Sequence, residues 1–186
     1  ILDTIKAKLI QANTDTTSVA GRTSIAKDVD KLLEQLNNIA KQTNYNGTAL
    51  LQKGTSTATA DVAKLSSLSF QVGESNSDII RTSNIQANTV GFSLTTLKGK
   101  VSLGSAVSAG ATATTANVFT RTMASAAQTA VDKAITTLNG FRGDIGSTQN
   151  QVESAVRNLM TQSTNVAAAE SIIRDVDYAQ ESANFN

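Results

Sequence analysis

Apolar residues recur every three or four positions through the last third of the chain, and no proline interrupts them. Met123, Ala127, Ala130, Val131, Ala134, Ile135, Leu138, Ile145, Val152, Val156, Leu159, Val166, Ile173 and Val176 form one stripe with the period of an α-helix, and this set is expected to face a core. A helix running from about Phe119 to Tyr178 would be roughly 90 Å long, whereas a compact chain of this size has a radius of gyration of only about 16 Å. The pattern therefore predicts a mainly α protein, an elongated rod of long antiparallel helices, with a small β-hairpin region packed on one side.

The rest of the chain supplies the partners of that helix. Ile1, Leu2, Ile5, Leu9 and Ala12 predict a first helix over 1–13, closed by the polar run Asn13 to Ser18. A second helix is expected over 24–43, capped by Thr23 or Ser24, with Ile25, Val29, Leu32, Leu33, Leu36, Ile39 and Ala40 as its buried face. It stops at the turn signal Asn44-Tyr45-Asn46-Gly47. Between Leu50 and Val118 the helical pattern fails and Gly, Ser, Thr and Asn dominate. Within a hairpin region over 50–100, Leu68 to Val72 alternates like a half-buried strand, Gly73 to Ser77 turns, and Asp78 to Arg81 returns. A two-stranded hairpin is marginal alone, so its apolar face is expected to lie on the helices. Residues 101–118, small and nearly uncharged, read as a variable surface loop before the long helix of 119–178. Gly140, Gly143 and Gly146 interrupt that helix, each costing about 1 kcal/mol against Ala. They imply the close approach of a neighbouring backbone, a compliant point, or a kink between two shorter helices.

Composition excludes most chemistry. The chain has no Cys, His, Trp or Pro and 4% aromatic residues. There is no thiolate zinc site and no disulfide framework, and the commonest general base is missing. No catalytic residue, cofactor or metal is expected; Asp175 and Asp177 lack further ligands at suitable spacing. A net charge of +1, without clustered Lys and Arg, argues against nucleic acid as a partner. No apolar run approaches the ~20 residues of a membrane span, so membrane insertion is not expected, and the start lacks the pattern of a cleavable secretion signal. The chain begins inside an apolar-periodic segment and ends soon after another, so the natural protein is expected to be longer.

Several of these segments resemble bacterial flagellin, specifically its core domain without the terminal helices. KDVDKLLEQLNNIAKQTNYNGTALL, from Lys27 to Leu51, resembles the family's leucine-rich helix followed by Q-T-x-[FY]-N-G, and Phe70 to Gly73 repeats its F-Q-V-G hairpin entry. LNGFRGDIGSTQNQVESAVRNL, from Leu138 to Leu159, resembles L-x-x-x-R-x-x-L-G-x-x-Q-N-R-x-x, and AAAESIIRDVDYAQES, from Ala167 to Ser182, resembles A-A-E-S-R-I-R-D-x-D-[FY]-A-x-E. Gln151 stands where the family usually has Arg, Ile145 where it has Leu, and an Ile at 172 or 173 displaces an Arg. The likeness thins between about Ile85 and Val118, where flagellins carry variable outer domains.

The resemblance implies a structural subunit that self-assembles into the helical filament of the bacterial flagellum and is exported without a cleaved signal peptide. A full-length chain would then be a helical homopolymer, with a flagellar export chaperone and a cap protein as further partners, and this piece would be soluble and monomeric. Asp3, Lys6, Asp28 and Leu32, together with Arg142, Asp144, Arg157, Arg174, Asp175 and Asp177, become candidate subunit-interface or receptor-region residues; Glu153 falls in the same motifs. Flagellins are also bound by a Toll-like innate immune receptor through an Arg-rich first helix. Here that stretch reads Leu2-Asp3-Thr4-Ile5-Lys6-Ala7-Lys8, with Asp3 near the family's key Arg, while Asp28 matches an acidic contact position. This is similar to the ε-proteobacterial type and implies weak recognition. The alternative is a hook-filament junction protein, against which the motif Ile173 to Ala179 counts. A metallopeptidase insertion needs two His and is excluded. A generic helical-bundle adhesin would predict no motility defect on deletion.

Overall fold

The structure, a computed structural model, describes residues 1–52, 67–73, 75–105 and 118–185, without the side chains of 103–105, 176, 177 and 179. The elements in chain order are α1 (Leu2–Asn13), α2 (Val19–Gln42), β1 (Asn44–Tyr45), β2 (Thr48–Ala49), β3 (Ser69–Gln71), β4 (Ile79–Arg81), α3 (Thr95–Ser105) and α4 (Arg121–Phe185). The chain divides into two compact units, Ile1–Leu68 with Ser83–Gly143, and Ser69–Thr82 with Asp144–Asn186. It is mainly α, with two small antiparallel hairpins. Most of the expected variable loop, 106–117, lies outside the described residues, as do 53–66 of the hairpin region.

The first unit holds the core. Leu2, Ile5, Leu9 and Ala12 line one face of α1, and Ile25, Ala26, Val29, Leu33 and Ala40 one face of α2. Ala124, Ala127, Val131 and Ala134 on α4, with Phe119 before it, complete the cluster. Alanine at three of these α4 positions lets backbones approach closely while Val131 fills the seam. Ile39, expected on the buried face of α2, is 43% exposed.

Helix α2 begins at Val19, five residues before the expected start at 24, so neither Thr23 nor Ser24 caps it. Ser18 is the cap: its Oγ accepts a hydrogen bond from Gly21 N–H at 3.1 Å. The Arg22 side chain then reaches back, donating from Nε to Ala12 O at 3.0 Å and from a terminal nitrogen to Thr14 O at 3.2 Å. These bonds satisfy carbonyls at the end of α1 that the helix itself cannot pair.

A helix stands where the sequence pattern predicts none. Its residues, TTLKGKVSLGS, carry Gly99 and four Ser or Thr, which blunts the periodic signal. Burial decides instead: Leu94, Leu97 and Val101 are at most 5% exposed. The approach to α3 is fixed by a buried polar junction. Asn88 Nδ2 donates to Gln52 Oε1 at 2.8 Å, and Asn88 Oδ1 accepts from Val90 N–H at 3.1 Å and Gly91 N–H at 2.9 Å. Thr89 N–H donates to Asn37 Oδ1 on α2 at 2.9 Å, and Ala87 N–H to Leu51 O at 2.9 Å. Paired in this way, buried polar groups avoid the desolvation cost of about 1–3 kcal/mol each. The backbone packs so closely here that a Cβ on Gly91 would sit 1.8 Å from Gln86 O.

Both hairpins form. In the first unit, β1 and β2 pair Tyr45 with Thr48 across a two-residue turn whose members, Asn46 and Gly47, have φ of 50° and 78°. Positive φ at both positions is the primed turn that matches strand twist. In the second unit, β3 and β4 pair Phe70 with Ile80, but all three β3 residues are exposed. The expected burial of an apolar hairpin face is thus not achieved at Phe70, which is 39% exposed.

Helix α4 is unbroken for 65 residues, so the glycines do not divide it. A Cβ at Gly140, Gly143 or Gly146 would meet nothing within 4 Å among the described residues, so none of them marks a close approach within this chain. Two glycine substitutions should consequently move stability in opposite directions. Gly140→Ala should raise the unfolding free energy by about 1 kcal/mol, and Gly91→Ala should lower it by about 2 kcal/mol or more, both read from urea denaturation of the chain.

Candidate functional site

The residues singled out from the sequence separate into two groups. Asp3, Lys6, Asp28 and Leu32 belong to α1 and α2. Asp3 is exposed in the first turn of α1, where its carboxylate suits the positive end of the helix dipole. Lys6 Nζ lies 2.6 Å from Asp132 Oδ1 on α4, and Lys8 Nζ lies 2.8 Å from Asp28 Oδ2 on α2. Arg121 on α4 pairs with Asp15 in the loop after α1, a third ion pair near α1 among the described residues. All are solvent-facing, so each contributes about 0–1 kcal/mol and mainly sets helix register. Leu32 packs, partly buried, against the core cluster. Flanking Leu32, the hydrogen bond from Lys31 to Glu34, with their mutual attraction, lowers the Glu34 carboxyl and raises the Lys31 amine from their ordinary values.

The second group lies on α4. Arg157 pairs with Glu153 at 3.6 Å and Arg174 with Glu170 at 3.9 Å, each one turn along the same helix. Ser171 Oγ approaches Asp175 Oδ2 at 3.5 Å. Arg142 and Asp144 are exposed on α4, where Asp144 O accepts a hydrogen bond from Thr148 Oγ1 at 2.9 Å. The side chain of Asp177 lies outside the described residues. These charges keep one another solvated along the helix surface and bring no catalytic constellation together. No group of three or more acidic residues that could hold a metal occurs among the described residues, and no described helix is long and apolar enough to cross a membrane. A cleft of about 150 Å³ between α3 and α4 is walled by Leu97, Met123, Ala127 and Ala130, with Lys100 at its edge and no carboxylate among its lining residues.

What the apolar stripe does corrects the expectation of a core along the whole of α4. Up to Leu138 and Phe141 its residues are buried or pack on the core. In the second unit, Ile145 is 44% exposed, Leu159 40%, Val156 48%, Val166 66% and Ile173 71%. The described chain therefore leaves these five side chains 40–71% exposed, while Val152 between them is half-buried. A finer order than the 3.6-residue period also emerges. Ala124, Val131, Leu138, Ile145, Val152, Leu159, Val166 and Ile173 occupy every seventh position. An apolar residue at strict seven-residue spacing is one of the two positions of a heptad seam, the one that meets a supercoiling partner at each repeat; the second position, three residues on, is filled here by Thr148, Ala155, Gln162 and Ala169. The first two members, Ala124 and Val131, are fully buried in the first unit, so the row is a packing seam there already. Counting residues at spacing seven rather than at three or four would have found it in the sequence.

Comparison with known proteins places these elements. Residues 1–57 match the family described as "Bacterial flagellin N-terminal helical region", and residues 128–186 match "Bacterial flagellin C-terminal helical region". The chain is 32% identical to the flagellin of Bacillus subtilis strain 168 over all of its own length and 62% of that protein's. It is 31% identical to the flagellin-type protein YvzB of the same strain, over 84% of this chain and 82% of the relative. Flagellin A of Helicobacter pylori is 54% identical, but over 55 residues, 30% of this chain and 11% of the relative. The chain thus spans about three fifths of the B. subtilis flagellin, and its higher identity to the Helicobacter protein is confined to one segment. Matched at both helical ends, and along most of the length of YvzB, the chain belongs to the bacterial flagellin family.

Proposed function

We propose that this chain is the core of a structural subunit of the bacterial flagellar filament, an extracellular propeller built by self-assembly of the full-length protein. The observation that carries this reading is the largely exposed row of five residues at spacing seven on α4, from Ile145 to Ile173. A subunit that polymerises without limit needs contacts that do not close on themselves, and an apolar seam left open in one chain supplies part of such a contact. The role is mechanical. Long helices give axial stiffness, and the family relatives are flagellins by name. Export without a cleaved signal, and transient contacts with an export chaperone and a cap protein, complete the proposal.

Recognition by a Toll-like innate immune receptor is proposed to be weak. Asp3 brings negative charge where receptor-activating members carry an Arg, and Asp28 is already engaged by Lys8 at 2.8 Å. A receptor surface that pairs with an arginine gains a repulsive contact from a carboxylate in its place.

Two measurements check these statements. In full-length protein seeded with filament fragments, Leu159→Glu or Val166→Glu should abolish elongation seen by negative-stain electron microscopy, while changing the unfolding free energy of the monomer by less than about 1 kcal/mol, as expected for exposed positions. Elongation by the glutamate variants would overturn the role of the row, and failure of the wild-type chain to elongate would point to a hook-filament junction role. For the receptor, full-length protein should stimulate reporter cells weakly and Asp3→Arg should increase the response; a strong wild-type response would refute the proposal.

A further inference from the structure

The chain contains the sequence Asn-Gly twice, at Asn46-Gly47 and at Asn139-Gly140, in surroundings that differ in one respect. Both asparagines are exposed, and, chain neighbours and the backbone of α4 itself apart, neither glycine has a described atom within 4 Å of where a Cβ would stand. Other parts of the fold therefore crowd neither site. The backbone is not. Asn139 and Gly140 lie inside α4, where the amide of Gly140 is held by the helix ladder. Asn46 and Gly47 are the two central residues of the turn between β1 and β2, both at positive φ. No described residue accepts a hydrogen bond from Gly47 N–H or engages the Asn46 side-chain amide. The strands that hold this turn are two residues each, and β1 is fully exposed, so local opening requires breaking few bonds.

We propose that Asn46 is a site of spontaneous deamidation through a cyclic imide, and that Asn139 is protected from it by α4. The Gly47 amide, after losing its proton to solvent base, attacks Asn46 Cγ; the new C–N bond closes a five-membered succinimide and ammonia leaves. Water then opens either carbonyl of the ring, giving aspartate or isoaspartate at position 46. No oxidant, enzyme or cofactor is needed, and because the nucleophile is the deprotonated amide the rate rises with pH. The absence of a side chain on Gly47 removes the steric obstacle that other residues present to this attack.

The products have structural consequences. Either one adds a negative charge, taking the formal net charge from +1 to 0. Isoaspartate also routes the main chain through an extra methylene, which a two-residue turn pairing Tyr45 with Thr48 cannot absorb without losing register. The hairpin leads directly into Leu51, whose carbonyl accepts the hydrogen bond from Ala87, so its loosening reaches the link between α2 and the segment before α3. This inference does not depend on the filament role.

The test is peptide mapping by mass spectrometry of the full-length protein held folded in mildly alkaline buffer, with a guanidinium-unfolded sample beside it. Trypsin releases Asn46 in the peptide of residues 42–53 and Asn139 in that of residues 134–142. In the folded protein, Asn46 should gain the mass of amide-to-acid conversion at least about tenfold faster than Asn139, splitting into two chromatographic peaks, whereas local helix opening is rare enough to hold Asn139 back. In the unfolded sample the two should react at similar rates. Equal rates in the folded protein, a faster Asn139, or an Asn46 that remains an amide while reacting in the unfolded sample would each overturn the proposal.

Discussion

Everything in this molecule depends on how the apolar seam of α4 is covered. Eight residues at every seventh position, Ala124 to Ile173, run along one unbroken helix. In the first unit the seam meets α1, α2 and α3 through one hydrophobic cluster, with Ala124 and Val131 fully buried and Leu138 partly buried against it. In the second unit the same chemistry continues with larger residues, half-buried at Val152 and 40–71% exposed at Ile145, Leu159, Val166 and Ile173. Burial of a Val, Leu or Ile side chain is worth about 1.5–3 kcal/mol, so four or five such residues represent a large association energy held in reserve. A helix this long gains little from propensity alone, and most helical stability comes from packing an apolar face. The two halves therefore differ: the near half is covered by its own chain, and the far half is left largely exposed by it.

The supporting structure serves to fix α1 and α2 against the near half of that seam. Arg22 ties the end of α1 to the start of α2, Lys8 with Asp28 and Lys6 with Asp132 set register across the exposed edges, and Phe92 rests on Phe141 with centroids 6.3 Å apart. The buried junction of Gln52, Asn88, Thr89 and Asn37 orients the irregular segment before α3. Polar pairs of this kind add modest stability, but unpaired alternatives are penalised heavily, so they select one arrangement.

Much of this was legible from residue spacing. The α1 face at Leu2, Ile5, Leu9 and Ala12, the α2 face at Ile25, Val29 and Leu33, and the β3–β4 hairpin follow from periods of 3.6 and two. The failures have physical causes. Helix α3 is a poor helix former held by tertiary contacts at Leu94, Leu97 and Val101, which no local pattern records. The Ser18 cap was hidden because Val19-Ala20-Gly21 carries no apolar stripe, although Gly21 N–H is the donor it needs. The far half of α4 was expected to be buried because period reports that a face is apolar and says nothing of who covers it. The candidate charges came from the family resemblance, and their partners, such as Asp132 for Lys6 and Lys8 for Asp28, are up to more than a hundred positions apart and come only with the fold.

The central claim is that the row from Ile145 to Ile173 is open in this chain and closed in the assembled filament. Because the chain has no cysteine, Leu159→Cys supplies a single thiol on that row, and its alkylation rate can be followed in the 186-residue chain and in filaments of the full-length protein. The account predicts rapid labelling of the isolated chain and strong protection in the filament. Labelling at the same rate in both would contradict it.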